Sequence, residues 1–374
     1  MEKIKIAYCN RPSYDNPLGG DAVQMLKTKE ELEKLYNIQI DIITDPSLIT
    51  KDYSIVHVFN FLTYKITDAF IRRAYSLHIP IVSSCIYWDY SYAGTGIFFE
   101  AIKHYPDFIS SDRIHFLRSI LLSLGKILPK PVGTSFIFRK YLRKFIQYST
   151  YIAPNSQEEC DLLLKFAGIN DCHIKHKFQV VYNGVQLEKK NIISKKDFFS
   201  KYNIPEGYIL QVGRIEYLKN QLNLLYALKD HPQIPIVFVG QVQSKSYYDK
   251  ILKLAQKRGN VYFINKVDHE DIASFYQYAA LHVLLSLRES PGLVNLEAAS
   301  LSCPIVLSDK RFIPIDTYFK NTSYVVDPFD ISLIEKIVLK AYLERETTNI
   351  DMNNFSWNNV AIQTHQIYKK ILKK

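Results

Sequence analysis

LHVLLSLRESPGLVNLEAASLSCPIVLSD, residues Leu281 to Asp309, opens and closes on apolar runs short enough for buried strands. The first run is Leu281 to Leu287 and the second is Pro304 to Leu307. Between them, Ser290-Pro291 reads as an N-cap followed by proline at the first helical position. Leu293, Leu296, Ser300 and Leu301 recur at helical spacing and give that helix an inward face. The stretch is therefore expected to be a βαβ unit, with Glu289 on the loop before the helix and Glu297 about two turns inside it. A helix start offers unpaired N–H groups and a positive dipole end, which suits a phosphate. Gly292 lets a ligand approach the backbone, and carboxylates beside such a site accept hydrogen bonds from ribose or sugar hydroxyls. On this stretch alone, a capping glutamate and a solvated helix glutamate describe the pair equally well.

Working outward, the same rhythm fills the chain. Ile4 to Tyr8 reads as a first buried strand, and Gly19-Gly20 stands between it and a helical stretch (Ala22, Val23, Met25, Leu26). Strand, glycine pair and helix let a backbone approach an anion, although a simple tight turn explains the pair as well. Further strands are expected at Ile38–Ile43, Ile55–Asn60 and Pro80–Ser84, with helices between the later ones, as a doubly wound parallel sheet requires. His57 lies inside an apolar run and reads first as a satisfied core histidine. Val180 to Val185 is expected to be a strand ending in an Asn183-Gly184 turn, followed by a lysine-rich connector. A second series opens with Tyr208 to Arg214, a strand entering a glycine turn at Gly213, and Lys219 falls at the start of the next helix. A cation there opposes the helix dipole and calls for an anion nearby. Arg214 has the fork geometry to hold a further phosphate oxygen, the alternative being two solvated surface charges.

A chain of 374 residues with 47% hydrophobic content can bury two ordinary cores, and its composition argues against long disorder. Five scattered cysteines fit a reduced compartment better than a disulfide framework or a zinc site. No signal peptide is visible, and no window approaches about 18 uninterrupted apolar residues. The expected location is cytoplasmic, with peripheral contact at the inner face of a membrane as an added reading. That addition rests on charge placement. The net charge is +10, and no Asp or Glu occurs from Arg113 to Gln157, where Arg113, Arg118, Lys126, Lys130, Arg139, Lys140, Arg143 and Lys144 all fall. Segment 113–149 can lie on an anionic membrane surface or simply cover the sheet with a basic outer face. No nucleic-acid motif accompanies the charge, so nucleic acid is not an expected partner.

Glu289 and Glu297, seven residues between them, followed by Ala298 and a run into Cys303-Pro304-Ile305-Val306, resemble the signature of retaining glycosyltransferases of family 4 (glycosyl transferases group 1). Val212-Gly213-Arg214 with Lys219 resembles that family's diphosphate-binding pair, and Asn183-Gly184-Val185 its domain junction. The resemblance implies an α/β GT-B fold, two Rossmann-like domains with parallel sheets facing a central cleft. It places an acceptor domain at 1–185, a nucleotide-sugar donor domain at 186–355, and a C-terminal helix, 356–374, crossing back to the first domain. The implied reaction moves a hexose-like sugar from a nucleotide diphosphate to an acceptor hydroxyl with retention, in bacterial-type surface polysaccharide or glycolipid synthesis. Glu289, Arg214 and Lys219 are the implied catalytic residues: Glu289 contacts the donor sugar while the two cations neutralise the diphosphate without a metal. Glu297 would contact the ribose, with Gly292, Leu293, Gly213, Gly19 and Gly20 also binding the donor. The implied partners are the nucleotide sugar, as co-substrate with no other cofactor, and a glycan or lipid-linked acceptor.

This sequence departs from the family at Asn220 and Ser302, where glycine is common, and at Ser290-Pro291, where Gly-Phe is common. It also has no histidine between His78 and His104, where many relatives place one near the sugar. Two other functions fit the same residues: a sugar-nucleotide epimerase of the same architecture, and a non-catalytic partner subunit.

Overall fold

Two runs of β-branched strands, each spaced by helices, condense into two parallel sheets in the computed structural model, which describes residues 3–15, 19–88, 136–170, 172–185, 192–265, 267 and 271–373. The chain divides into a first compact unit, Met1–Gly184 with Asn354–Lys374, and a second, Val185–Asn353.

The first unit holds β1 (Ile4–Cys9), β2 (Ile38–Ile43), β3 (Ile55–Phe59), β4 (Ile81–Ser84) and β5 (Tyr151–Ala153). All pair in parallel in the order β2-β1-β3-β4-β5. Helices cover both faces, so β3 and β4 are buried along their whole length and β1 over its last four residues. They are α1 (Gly20–Leu35), α2 (Tyr64–Ser76), α3 (Phe136–Tyr148) and α4 (Gln157–Ala167). α4 shows how sequence sets its ends. Ser156 Oγ accepts from Glu159 N at 3.0 Å, and Gly168 closes the helix in the left-handed region, φ 64°. Phe138, Leu142, Phe145 and Ile146 put the apolar face of α3 into the core beneath the sheet.

Val180–Val185 differs from expectation. Gln179 N and Val181 N donate to Ile152 O and Pro154 O, at 2.9 and 3.0 Å, but among the described residues the ladder amounts to one bridge, Ile152 to Phe178. Pro154 has no N–H to return a bond, so the extended run does not become a strand. Gly184 is needed for packing as well as turning: a Cβ there would stand 2.5 Å from the ring of Trp357.

The second unit holds β6 (Ile209–Val212), β7 (Ile236–Val239), β8 (Val261–Ile264), β9 (Leu281–Leu284), β10 (Ile305–Ser308) and β11 (Val325–Val326), all parallel, in the order β11-β10-β9-β6-β7-β8. Its helices are α5 (Lys195–Tyr202), α6 (Gln221–Ala227), α7 (Lys245–Arg258), α8 (Ile272–Tyr278), α9 (Leu293–Ser300), α10 (Ile315–Tyr318) and α11 (Ile331–Glu344). The last helix, α12 (Trp357–Leu372), packs in the first unit through Val360, Ala361, Ile367, Tyr368 and Ile371. No helix among the described residues is long and apolar enough to cross a membrane.

The helix after Glu289 starts later than the Ser290-Pro291 pattern suggests. Gly292 is its N-cap, in the left-handed region at φ 86°, and Leu293 is its first residue. Ser290 and Pro291 belong to the preceding loop, and Glu297 lies about one turn inside the helix, not two. Ser302 takes φ 59°, the conformation that explains why glycine is at ease there.

Candidate active site

In the second unit the chain runs β6, β7, β8 toward one edge of the sheet and β9, β10, β11 toward the other, so its order reverses between β6 and β9. Ligands of open α/β sheets gather at the carboxyl ends of the strands beside such a reversal. The loops leaving β6 and β9 are fastened to each other and to the loop after β10. Leu287 N donates to Leu218 O at 2.8 Å, and Glu289 N donates to Phe312 O at 2.8 Å. Gln211 Nε2 reaches Lys219 O at 2.7 Å. Lys219 ends a short 3-10 turn, Tyr217–Lys219, and Asn220, at φ 55°, swings the chain into α6. With both loops set, Lys219 Nζ forms an ion pair with the Glu289 carboxylate. The two side chains keep only 16% and 11% of their exposure, so neither charge is well hydrated and each needs the other or a ligand.

Three glycines shape this pocket of backbone. Gly240, at φ 145°, lies so close to the loop after β6 that a Cβ would stand 2.2 Å from Gly213 O. Gly213, at φ 148°, in turn carries the aliphatic stem of Lys219 within 3.6 Å of where its own Cβ would be. Gly292 holds the Glu289 stem against the start of α9, since a Cβ there would stand 3.2 Å from Glu289 Cγ and 3.0 Å from Asn295 Nδ2. The Asn295 amide and the Ser286 hydroxyl are buried and meet no hydrogen-bonding partner among the described residues. Each such group costs about 1–3 kcal/mol in a closed core, so polar atoms are kept here against the folding interest.

Glu297 is half-buried, and burial raises its carboxyl above the usual range. Tyr276 on α8 opposes that by donating its hydroxyl to Glu297 Oε2 at 2.9 Å. Leu293 is half-buried in the first turn of α9. Arg214 is not drawn into the Lys219–Glu289 pair: its guanidinium is about half exposed and lies 2.9 Å from Glu216. Among the described residues no group of three His, Cys, Asp or Glu side chains is arranged to hold a metal ion.

Residues 194–354 match the family model described as Glycosyl transferases group 1. That match covers 161 of the chain's 374 residues. Among curated relatives, O-antigen chain mannosyltransferase B of Escherichia coli is 28% identical over 186 residues, which is 45% of this chain and 48% of that protein. D-inositol 3-phosphate glycosyltransferase of Streptomyces avermitilis is 24% identical over 241 residues, 58% of this chain and 51% of that protein. The chain thus spans about half the length of these relatives. Over 99% of both chains, the fold is that of sucrose-phosphate synthase from Thermosynechococcus elongatus, with a TM-score of 0.70 at 15% identity. Anabaena HepE in complex with UDP-glucose gives 0.69 at 14% identity, over 98% of this chain and all of that one. The fold is therefore GT-B, a pair of α/β Rossmann-like domains.

Within the matched segment, the structure brings together Lys219, Glu289, Gly213 and Gly292, and it sets Glu297 on the helix that Gly292 starts. Gly19 and Gly20 belong to the other unit, at its own reversal between β1 and β3. There Gly19 makes room for Asp21, whose Oδ1 would be 2.6 Å from a Cβ at position 19. Arg11 and Asn60 hold the Asp21 carboxylate, Asn60 from 3.1 Å. Residues 113–135 of the basic segment lie outside the described residues. His57 is a core residue: Nδ1 meets Tyr368 Oη at 2.6 Å and Nε2 meets Ser84 Oγ at 2.9 Å. Sequence reasoning missed Tyr276 and Asn295. Both lie on helices without a spacing signal that ties them to the glutamates.

Proposed function

We propose that the protein is a retaining hexosyltransferase that takes its sugar from a nucleotide diphosphate and gives it to a hydroxyl of a glycan or lipid-linked acceptor, in surface polysaccharide or glycolipid synthesis. The observation that carries this reading is the Lys219–Glu289 pair at the reversal of the second sheet. Its charges match the two halves of a sugar diphosphate. Lys219 exchanges Glu289 for the diphosphate when the donor enters, and Glu289 then accepts hydrogen bonds from the sugar hydroxyls. As the bond between the anomeric carbon and the phosphate oxygen breaks, negative charge grows on that oxygen, and Lys219 neutralises it with Arg214 as the outer cation. The acceptor oxygen forms its bond on the face the diphosphate leaves, and its proton passes to the departing diphosphate. Glu297 engages the ribose, while Gly213, Gly292 and Leu293 border the donor. The cations do the work that a metal does in other transferases, so turnover is expected to survive a chelator.

Relatives named as mannosyltransferases make mannose conjugates the first donors to try. The test is calorimetric titration with UDP, GDP, ADP, CDP and their common sugar conjugates, without added metal. Saturable binding that weakens sharply in Lys219→Ala supports the reading, and so does sugar transfer that fails in Glu289→Ala. Turnover of a sugar nucleotide without any acceptor points instead to an epimerase. No binding to any of the nucleotides overturns the donor site.

A further inference from the structure

Tyr276 is buried in α8, and its ring meets His282 of β9 edge to face, with centroids 5.5 Å apart. His282 is itself fully buried; its Nε2 accepts from Val212 N at 3.4 Å, and its Nδ1 meets no partner among the described residues. Packing alone does not call for a hydroxyl at position 276, because phenylalanine fills nearly the same volume. The hydroxyl is spent on Glu297 Oε2, 2.9 Å away. A carboxylate has two oxygens and about four acceptor positions. One oxygen tied to a rigid, buried phenol gives the other a defined place at low entropic cost, the requirement for reading a pair of hydroxyls on a ligand.

We propose that Tyr276 is a positioning residue for the nucleotide: by tying down Oε2 of Glu297 it leaves Oε1 set for the ribose hydroxyls. This rests on the reading that Glu297 engages the ribose. His282 keeps the Tyr276 ring in place from the sheet. The hydroxyl also supports the ionised form of Glu297, which burial disfavours.

The experiment uses the whole chain. UDP, GDP, ADP and CDP are titrated by calorimetry, and whichever binds is compared with its 2′,3′-dideoxy form in wild type and in Tyr276→Phe. Wild type is expected to prefer the ribonucleotide. Tyr276→Phe should lose about tenfold of its affinity for the ribonucleotide and little for the dideoxy form, so that the preference collapses. Its thermal midpoint should stay within a few degrees of wild type, because the ring is retained. If wild type binds both forms equally, or binds none of the nucleotides, the ribose role of Glu297 fails and the proposal with it. If wild type discriminates and Tyr276→Phe discriminates as well, the proposal alone fails. An equal loss for both forms shows only a packing role for Tyr276 and also overturns it.

Discussion

At the reversal of the first sheet, α1 brings its own acid: Asp21 sits in the first turn, held by Arg11 and Asn60. At the reversal of the second sheet, neither α6 nor α9 has an acid in its first turn, and Lys219 meets Glu289 beside them. A carboxylate at a helix start neutralises the positive end that would otherwise attract an anion. The helix start at the first reversal is therefore neutralised by its own acid, while the helix starts at the second carry none and its cation is met by a carboxylate from a neighbouring loop. The buried histidines of the two central strands repeat the contrast. His57 has a partner on each ring nitrogen, and Tyr368 continues the chain to Tyr8 at 2.9 Å. His282 has one long contact and an Nδ1 without a partner among the described residues. Similar sheets thus pair their buried polar groups in one unit and leave them less satisfied beside the candidate site in the other.

The largest effect that can break this comparison is on turnover. Lys219→Ala should lower kcat by about 10²–10³, or about 3–4 kcal/mol of barrier, as expected for loss of a group facing growing charge. Arg11→Ala should cost less than about tenfold, because Arg11 already spends its charge on Asp21. Equal losses, measured as kcat with saturating donor, would show that both reversals meet the reacting groups.

Stability separates the histidines. His57→Phe leaves Ser84 Oγ without its ring partner and Tyr368 with only Tyr8, and should cost about 3 kcal/mol in urea unfolding. His282→Phe removes a 3.4 Å contact and should cost about 1 kcal/mol or less. Both imidazoles are pushed down from 6.5 to about 3 by burial. Between those values the unfolded chain takes up protons that the folded chain refuses, so stability falls as pH falls. The slope is about 1.4 kcal/mol per pH unit for each histidine. Either replacement should flatten the acid limb by one histidine's share, and an unchanged limb would mean that the imidazole is not held neutral.

Much of this was readable because fully buried parallel strands announce themselves as short β-branched runs, and Lys219 and Glu289 each follow one. What brings those two residues together is strand order, which local sequence does not encode: β9 pairs with β6 although β7 and β8 lie between them in the chain. The start of α9 was misplaced because Ser290-Pro291 has the chemistry of a cap, while the backbone turn is made by Gly292 at positive φ. Tyr276 escaped notice for a similar reason. It is an aromatic among aromatics in α8, and its role comes from a contact with the next helix.

The smallest expected effect concerns the basic segment, whose described part now has a local explanation. Arg143 Nε donates to Ala167 O at 2.6 Å, and Lys144 Nζ reaches Asp68 at 2.9 Å. Lys140 is exposed on the same helix. Since the apolar face of α3 is already buried in the core, membrane contact through this helix would rest on charge alone, worth about 1 kcal/mol per cation. Lys144→Ala should cost about 1 kcal/mol of stability, because the buried Asp68 carboxylate loses one of its two cations and keeps Arg72 at 2.6 Å. Lys140→Glu should change stability by less than about 0.5 kcal/mol and leave sedimentation with phosphatidylserine vesicles unchanged. A clear loss of sedimentation in Lys140→Glu, with stability intact, would make α3 a docking helix as well as a wall of the first unit.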